Sequence, residues 1–133
     1  MSKLNQEFRQ AIAVLKQTNE DFRNGHTTSV AHARTREAAL RAALTALARH
    51  HGVLLAYVRG IDGNGEFRIA AVTKKGDNPA HGCAPFGPAF TALLNTAKPR
   101  TGIIPCALSP DNGWCYLNHF EVERLVLGVP LAN

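Results

Sequence analysis

Polar and apolar positions change their period along this chain, and each change marks an element. Over residues 4–23 apolar side chains recur at Phe8, Ile12, Leu15 and Phe22, with Asn19 completing a four-three-four-three spacing. That rhythm lays one narrow stripe along a helix, the geometry of a coiled-coil seam. Asn24-Gly25 ends it, because glycine accepts the left-handed conformation past a helix terminus. A polar link leads to a second helix that Thr28 or Ser29 can cap, with Val30, Ala33, Leu40, Ala43, Leu44 and Leu47 on its buried face. It is expected to stop at His50-His51-Gly52, where histidines suit the negative end of the helix dipole and glycine closes the turn.

From Leu54 the period falls to two. Leu54–Val58 and Phe67–Val72 are apolar, β-favouring runs around Asp62-Gly63 and Asn64-Gly65, which supply the residues tight hairpin turns need. Both faces of this hairpin are largely apolar, which predicts cover on both sides near its middle. Residues 76–87 then hold three glycines and two prolines, which excludes regular structure over most of the stretch. Pro88 opens a short helix with Phe90, Leu93, Leu94 and Ala97 apolar, and Pro99 ends it. Thr101–Leu108 reads as a third strand that Pro105 restricts to an edge or an irregular end. Ser109–Gly113 reads as a turn, Trp114–Val122 as a short helix or a packed loop, and Arg124–Leu131 as the last strand. The sum is an α+β domain spanning 1–133: two N-terminal helices, then a mixed or antiparallel sheet of about four strands with one or two short covering helices. Residues 26–133 form its core, and residues 1–25 form a helix that could pair with its twin across a dimer or pack on its own domain equally well.

Composition narrows the class. With 133 residues, 45% hydrophobic and 19% charged, the chain suits one soluble globule with a real core. No run approaches the ~18 apolar residues of a membrane span and no apolar signal core opens the chain, so a cytoplasmic setting is expected. Three cysteines, Cys83, Cys106 and Cys115, are an odd number that makes reduced thiols the default. The net charge is +5, and residues 1–51 carry eight Lys/Arg against four Asp/Glu. Arg34, Arg36, Arg41 and Arg49 could attract phosphates, although a solvated helix face explains them equally. No basic run interleaved with aromatics supports a nucleic-acid role.

Chemistry-bearing residues are sparse. His81, Cys83, Cys106 and Cys115 are the candidate metal ligands, since zinc favours Cys and His in tetrahedral arrays. The order helix, hairpin, helix with a preceding His, strand, Pro105-Cys106 resembles the zinc-dependent cytidine deaminase family. That resemblance implies a zinc-bound water as the attacking group. Two departures stand against it. Cys83 occupies the position where the family has its general acid/base Glu, and eight residues separate Cys106 from Cys115 where the family has two. There is no nucleophile elbow, no phosphate-binding Gly-Lys loop and no paired carboxylates.

A second resemblance rests on Leu54–Val72, on Phe86–Gly102 and on Glu123-Arg-Leu-Val-Leu-Gly-Val-Pro-Leu131. In this order the segments are similar to GAF-type sensory domains or to smaller PAS- or profilin-like sheets. The likeness implies a non-enzymatic module that binds a small molecule or partner between sheet and loops and pairs through a terminal helix. On that reading His81, Cys83, Phe86 and Trp114 line the site, residues 4–23 form a homodimer contact, and no cofactor is required. A zinc-dependent deaminase-like hydrolase and a basic nucleic-acid accessory protein are the alternatives.

Overall fold

The computed structural model describes residues 5–57, 66–99, 102–106 and 109–131. It is an α+β structure. Helix α1 (Gln6–Arg23) and helix α2 (Ser29–His50) form an antiparallel hairpin. Strands β1 (Leu54–Tyr57) and β2 (Glu66–Val72) follow, then helix α3 (Pro88–Thr96), strands β3 (Ile103–Cys106) and β4 (Ser109–Asn118), and helix α4 (His119–Leu127). The sheet is antiparallel throughout, in the order β1-β2-β4-β3. The hairpin tip, including Asp62-Gly63 and Asn64-Gly65, lies outside the described residues.

Local chemistry accounts for the helix ends. Asn5 Oδ1 accepts the Phe8 N–H at 2.8 Å and Thr28 Oγ1 the Ala31 N–H at 3.1 Å, each satisfying a donor that the first turn leaves unpaired. At the end of α2, Gly52 has φ of +75°, which turns the chain into β1 at no Cβ cost. The stripe on α1 packs within the same chain: Phe8, Ile12 and Leu15 are buried against α2. Phe22 leaves the stripe. It is 45% exposed and stacks on His32, whose ring nitrogen also meets Asn19 Oδ1 at 2.9 Å. Val30 and Ala33, expected in the core, are exposed, and burial on α2 begins only at Ala39. Length is the reason: a helix of 22 residues runs ~33 Å at 1.5 Å per residue, longer than the ~23 Å of a seven-residue strand.

Two expectations about the C-terminal third are corrected. Ser109–Asn118 is one strand, so the stretch read as a turn, and the ambiguous one from Trp114, are both extended as far as Asn118. Arg124–Leu131 is no strand; its first half belongs to α4. Asn118 Oδ1 accepts the Glu121 N–H and Glu121 Oε1 accepts the Asn118 N–H, both at 2.8 Å, a reciprocal cap that starts a helix. Val122, Leu125 and Val126 then fall on one helical face and are buried. Short apolar runs fit helix and strand alike, and here the cap decides.

Register divides the sheet into two faces. Tyr57, Ile69, Cys115 and Ile103 align across all four strands on one face, with Leu55, Ala71, Phe67 and Leu117. This face meets all four helices in one core cluster that includes Leu15, Leu44, Leu47, Phe90, Leu94 and Val122. Leu54, Ala56, Arg68, Ala70, Val72, Ile104, Trp114 and Tyr116 lie on the other face, with Glu66 opposite Asn118 at its end.

Candidate functional site

The face turned away from the helices holds the densest group of chemically distinctive side chains. Alternation along β2 and β4 puts Arg68 beside Tyr116 and Ala70 beside Trp114. The Arg68 guanidinium sits over the Trp114 ring, 3.9 Å from its centroid, and 5.8 Å from that of Tyr116. Trp114 and Tyr116 meet edge to face at 4.9 Å. Arg68 is thus held by ring quadrupoles, and among the described residues no carboxylate pairs with it. Its Nε is buried with no hydrogen-bond acceptor. Ala70 is fully buried in the Trp114 row, whereas Leu54, Ala56, Ile104, Trp114 and Tyr116 remain half-buried.

The 76–87 segment closes one end of this face. A short 3-10 turn, Pro79–His81, precedes Cys83, which packs with Ala70 and Trp114 in a small cluster of its own. The Ala84 N–H bonds Ala71 O at 2.7 Å and Asn112 Nδ2 donates to Cys83 O, so the segment fills the gap where β4 leaves β2 to pair with β3. Gly113 makes that second pairing close. A Cβ there would lie 2.6 Å from Ile104 O.

Of the four residues expected to line a site, Cys83 and Trp114 come together on this face. His81 is exposed on the 3-10 turn. Phe86 does not join them: it points into the main core and packs on Phe90, ring centroids 5.9 Å apart. Sequence reasoning missed Arg68 and Tyr116. Period-two alternation in Glu66–Val72 puts Arg68 and Ala70 on one face, but nothing local pairs them with Trp114.

The candidate zinc ligands are divided between environments. Cys83 is on the outer face, while Cys115 lies in the main core, where burial and then the Glu121 carboxylate push its thiol up to about 12. A thiol so placed resists the ionisation that zinc binding requires. Cys106 is on β3, and its side chain lies outside the described part of the structure. Among the described residues no three His, Cys, Asp or Glu side chains group around a common point.

A cavity of about 550 Å³ opens on the helix side, where the C-terminal ends of α2, α3 and α4 converge. Leu47, Leu93, Leu125 and Val129 supply apolar wall, Arg124 supplies a guanidinium and His50 and His51 supply imidazoles. His51 is held below its ordinary pKa, first by burial and then by the neighbouring His50. An open groove also runs between α1 and α2, with Val14 43% exposed along it. Among the described residues no helix is long and apolar enough to cross a membrane. No protein-family model, curated protein or solved structure matches the chain.

Proposed function

We propose that this chain is a non-enzymatic binding module whose partner seats on the sheet face that the helices leave uncovered. The Arg68–Trp114 stack carries the reading. A guanidinium with no ion pair among the described residues sits over one aromatic ring and near a second on a half-buried face, with Glu66 two positions along the same strand at its exposed end. Arg, Trp and Tyr are the side chains on which interface energy concentrates. The partner that complements them is a protein segment with a carboxylate for Arg68 and an apolar side chain for the half-buried Leu54, Ala56 and Trp114. The general resemblance to GAF-type sensory domains supports a regulatory role. It now rests on Leu54–Val72 and Phe86–Gly102, because Glu123–Leu127 is helical. Homodimer formation through residues 4–23 would use Val14 and the α1/α2 groove, since Phe8, Ile12 and Leu15 are already occupied in the chain's own core.

Trp114 is the chain's one tryptophan, so its emission reports on this face directly. The test is selection from a random twelve-residue peptide library, followed by titration of the selected peptides while Trp114 emission is recorded. Peptides pairing Asp or Glu with apolar residues are expected, and Arg68→Ala should weaken them at least tenfold, about 1.4 kcal/mol. Binding that Arg68→Ala and Trp114→Phe both leave unchanged would move the site elsewhere. Self-association by sedimentation, lost in Trp114→Ala, would make the partner a second copy of the chain.

A further inference from the structure

The cavity at the helix ends is independent of the sheet-face reading. Its wall is drawn from three stretches far apart in sequence: Leu47, His50 and His51 on α2, Leu93 and Thr96 on α3, and Arg124 to Pro130 at the end of α4. At about 550 Å³ it falls in the size range of small-molecule sites, which combine apolar walls with a few convergent polar groups.

The polar groups have one character. Arg124, His50 and His51 line the cavity, and among the described residues no carboxylate does. The nearby acids are engaged elsewhere: Glu123 Oε2 pairs with Arg36 Nε at 2.7 Å, Glu7 Oε2 with Arg49 Nη1 at 3.0 Å, and Glu121 caps its own helix. Arg124 Nη2 donates one long bond, 3.4 Å, to Ala97 O, which leaves most of its donor fork uncommitted.

The opposing effect is the negative end of each helix dipole, since three helices stop here. Those ends are largely satisfied. Ala48 O accepts from His51 and Val53, Arg49 O from Gly52, and Arg124 O from Gly128. On α3, Leu94 O accepts from Ala97 and Leu93 O from the Thr96 hydroxyl. A full guanidinium charge with free donors therefore outweighs the residual partial charge of capped ends, which falls off within one turn.

We propose that this cavity binds a small organic acid, its carboxylate on Arg124 with the imidazoles of His50 and His51 alongside, and its hydrocarbon body against Leu47, Leu93, Leu125 and Val129. The apolar wall excludes inorganic anions as the preferred ligand, and the basic rim excludes neutral and cationic amphiphiles of the same shape. Charge-assisted bonds to an arginine fork are about twice as strong as neutral ones, so the carboxylate is the discriminating group.

Octanoate and octanamide, equal in length and different in charge, serve as probes in calorimetric titrations of the full chain. Octanoate is expected to bind at least about fivefold tighter than octanamide, a difference of about 1 kcal/mol. Arg124→Gln should remove that preference and leave octanamide affinity unchanged. Arg34→Gln, which removes the same charge from an exposed position on α2, should preserve it. Melting curves identify any variant that has lost its fold, and Arg124→Lys, which keeps the charge, should then retain part of the preference. Equal affinity for the two probes, an equal effect of Arg34→Gln, or inorganic phosphate binding as tightly as octanoate would each overturn the proposal. So would the absence of octanoate binding at 10 mM, about −2.7 kcal/mol.

Discussion

The two faces of the sheet differ in what each residue on them does. Leu117 and Tyr116 are neighbours on β4. Leu117 is fully buried in the cluster that takes side chains from all four helices, whereas Tyr116 is half-buried beside Arg68 and Trp114. The helix-side face is filled with aliphatic and aromatic groups and carries stability. The outer face carries the chain's only tryptophan and an arginine held by stacking, with no ion pair among the described residues. The difference between the two faces can be measured residue by residue.

The largest effect expected is from Leu117→Ala, a loss of about 2–5 kcal/mol in chemical denaturation, because a fully buried leucine leaves a cavity behind. Tyr116→Ala, one residue away, should cost less than half of that. Equal losses would mean that both faces are core and would break the comparison.

Gly113→Val tests the seam between the faces. Its Cβ would meet Ile104 O at 2.6 Å and Ile103 Cγ2 at 2.8 Å, contacts that require β3 to move. A loss of about 1–3 kcal/mol is expected, the usual cost of overpacking. An unchanged melting temperature would show that the β3 edge is freely adjustable.

The pH dependence should belong to the helix side. His119, whose ring lies 5.1 Å from that of Phe67, has its pKa lowered first by burial and then by Arg36, against the opposing pull of Glu37 and Glu123. Its Nε2 is buried without a partner. A histidine with a depressed folded-state pKa takes up its proton more readily when unfolded. Stability is therefore full above the ordinary histidine value of about 6.5 and falls as pH drops through that value toward the folded-state one. His51, shifted the same way, adds to the slope. Denaturation midpoints at pH 7.5 and pH 5.5 check this, and His119→Gln should flatten the profile. A slope that survives in both His119→Gln and His51→Gln would place the titrating group elsewhere.

The smallest effect concerns the outer face itself. A double-mutant cycle on Arg68→Ala and Trp114→Phe should give a coupling of about 0.5–1 kcal/mol, the range of a partly solvated cation–π pair. A coupling near zero would mean that the stack contributes shape alone.

Much of the fold was legible before any contact was known. The stripe at Phe8, Ile12 and Leu15, the cap at Thr28, the stop at His50-His51-Gly52, the hairpin strands and the proline-opened α3 are all local signals, set by turns, caps and periodicity within a few residues. Pro105 correctly pointed to an edge, and β3 is one. The Asn118–Glu121 capping box was also present in the sequence, yet the apolar run Leu125-Val-Leu-Gly-Val129 reads as strand or helix with equal ease. What the sequence could not decide depends on which distant residues become neighbours. On β2 Glu66 and Arg68 share one face and Phe67 and Ile69 the other, while Ala70, Ala71 and Val72 are apolar on both, so alternation separates the faces without saying what covers each. Arg68 meets Trp114 only because β4 pairs with β2 in this register, and Phe86 leaves the expected site only because the Ala84–Ala71 bridge aims it into the core. The basic cavity exists only where three helix ends from separate parts of the chain converge. Periodicity is a property of adjacent residues and survives in the linear chain, whereas faces, stacks and cavities are set by long-range pairing and arise only on folding.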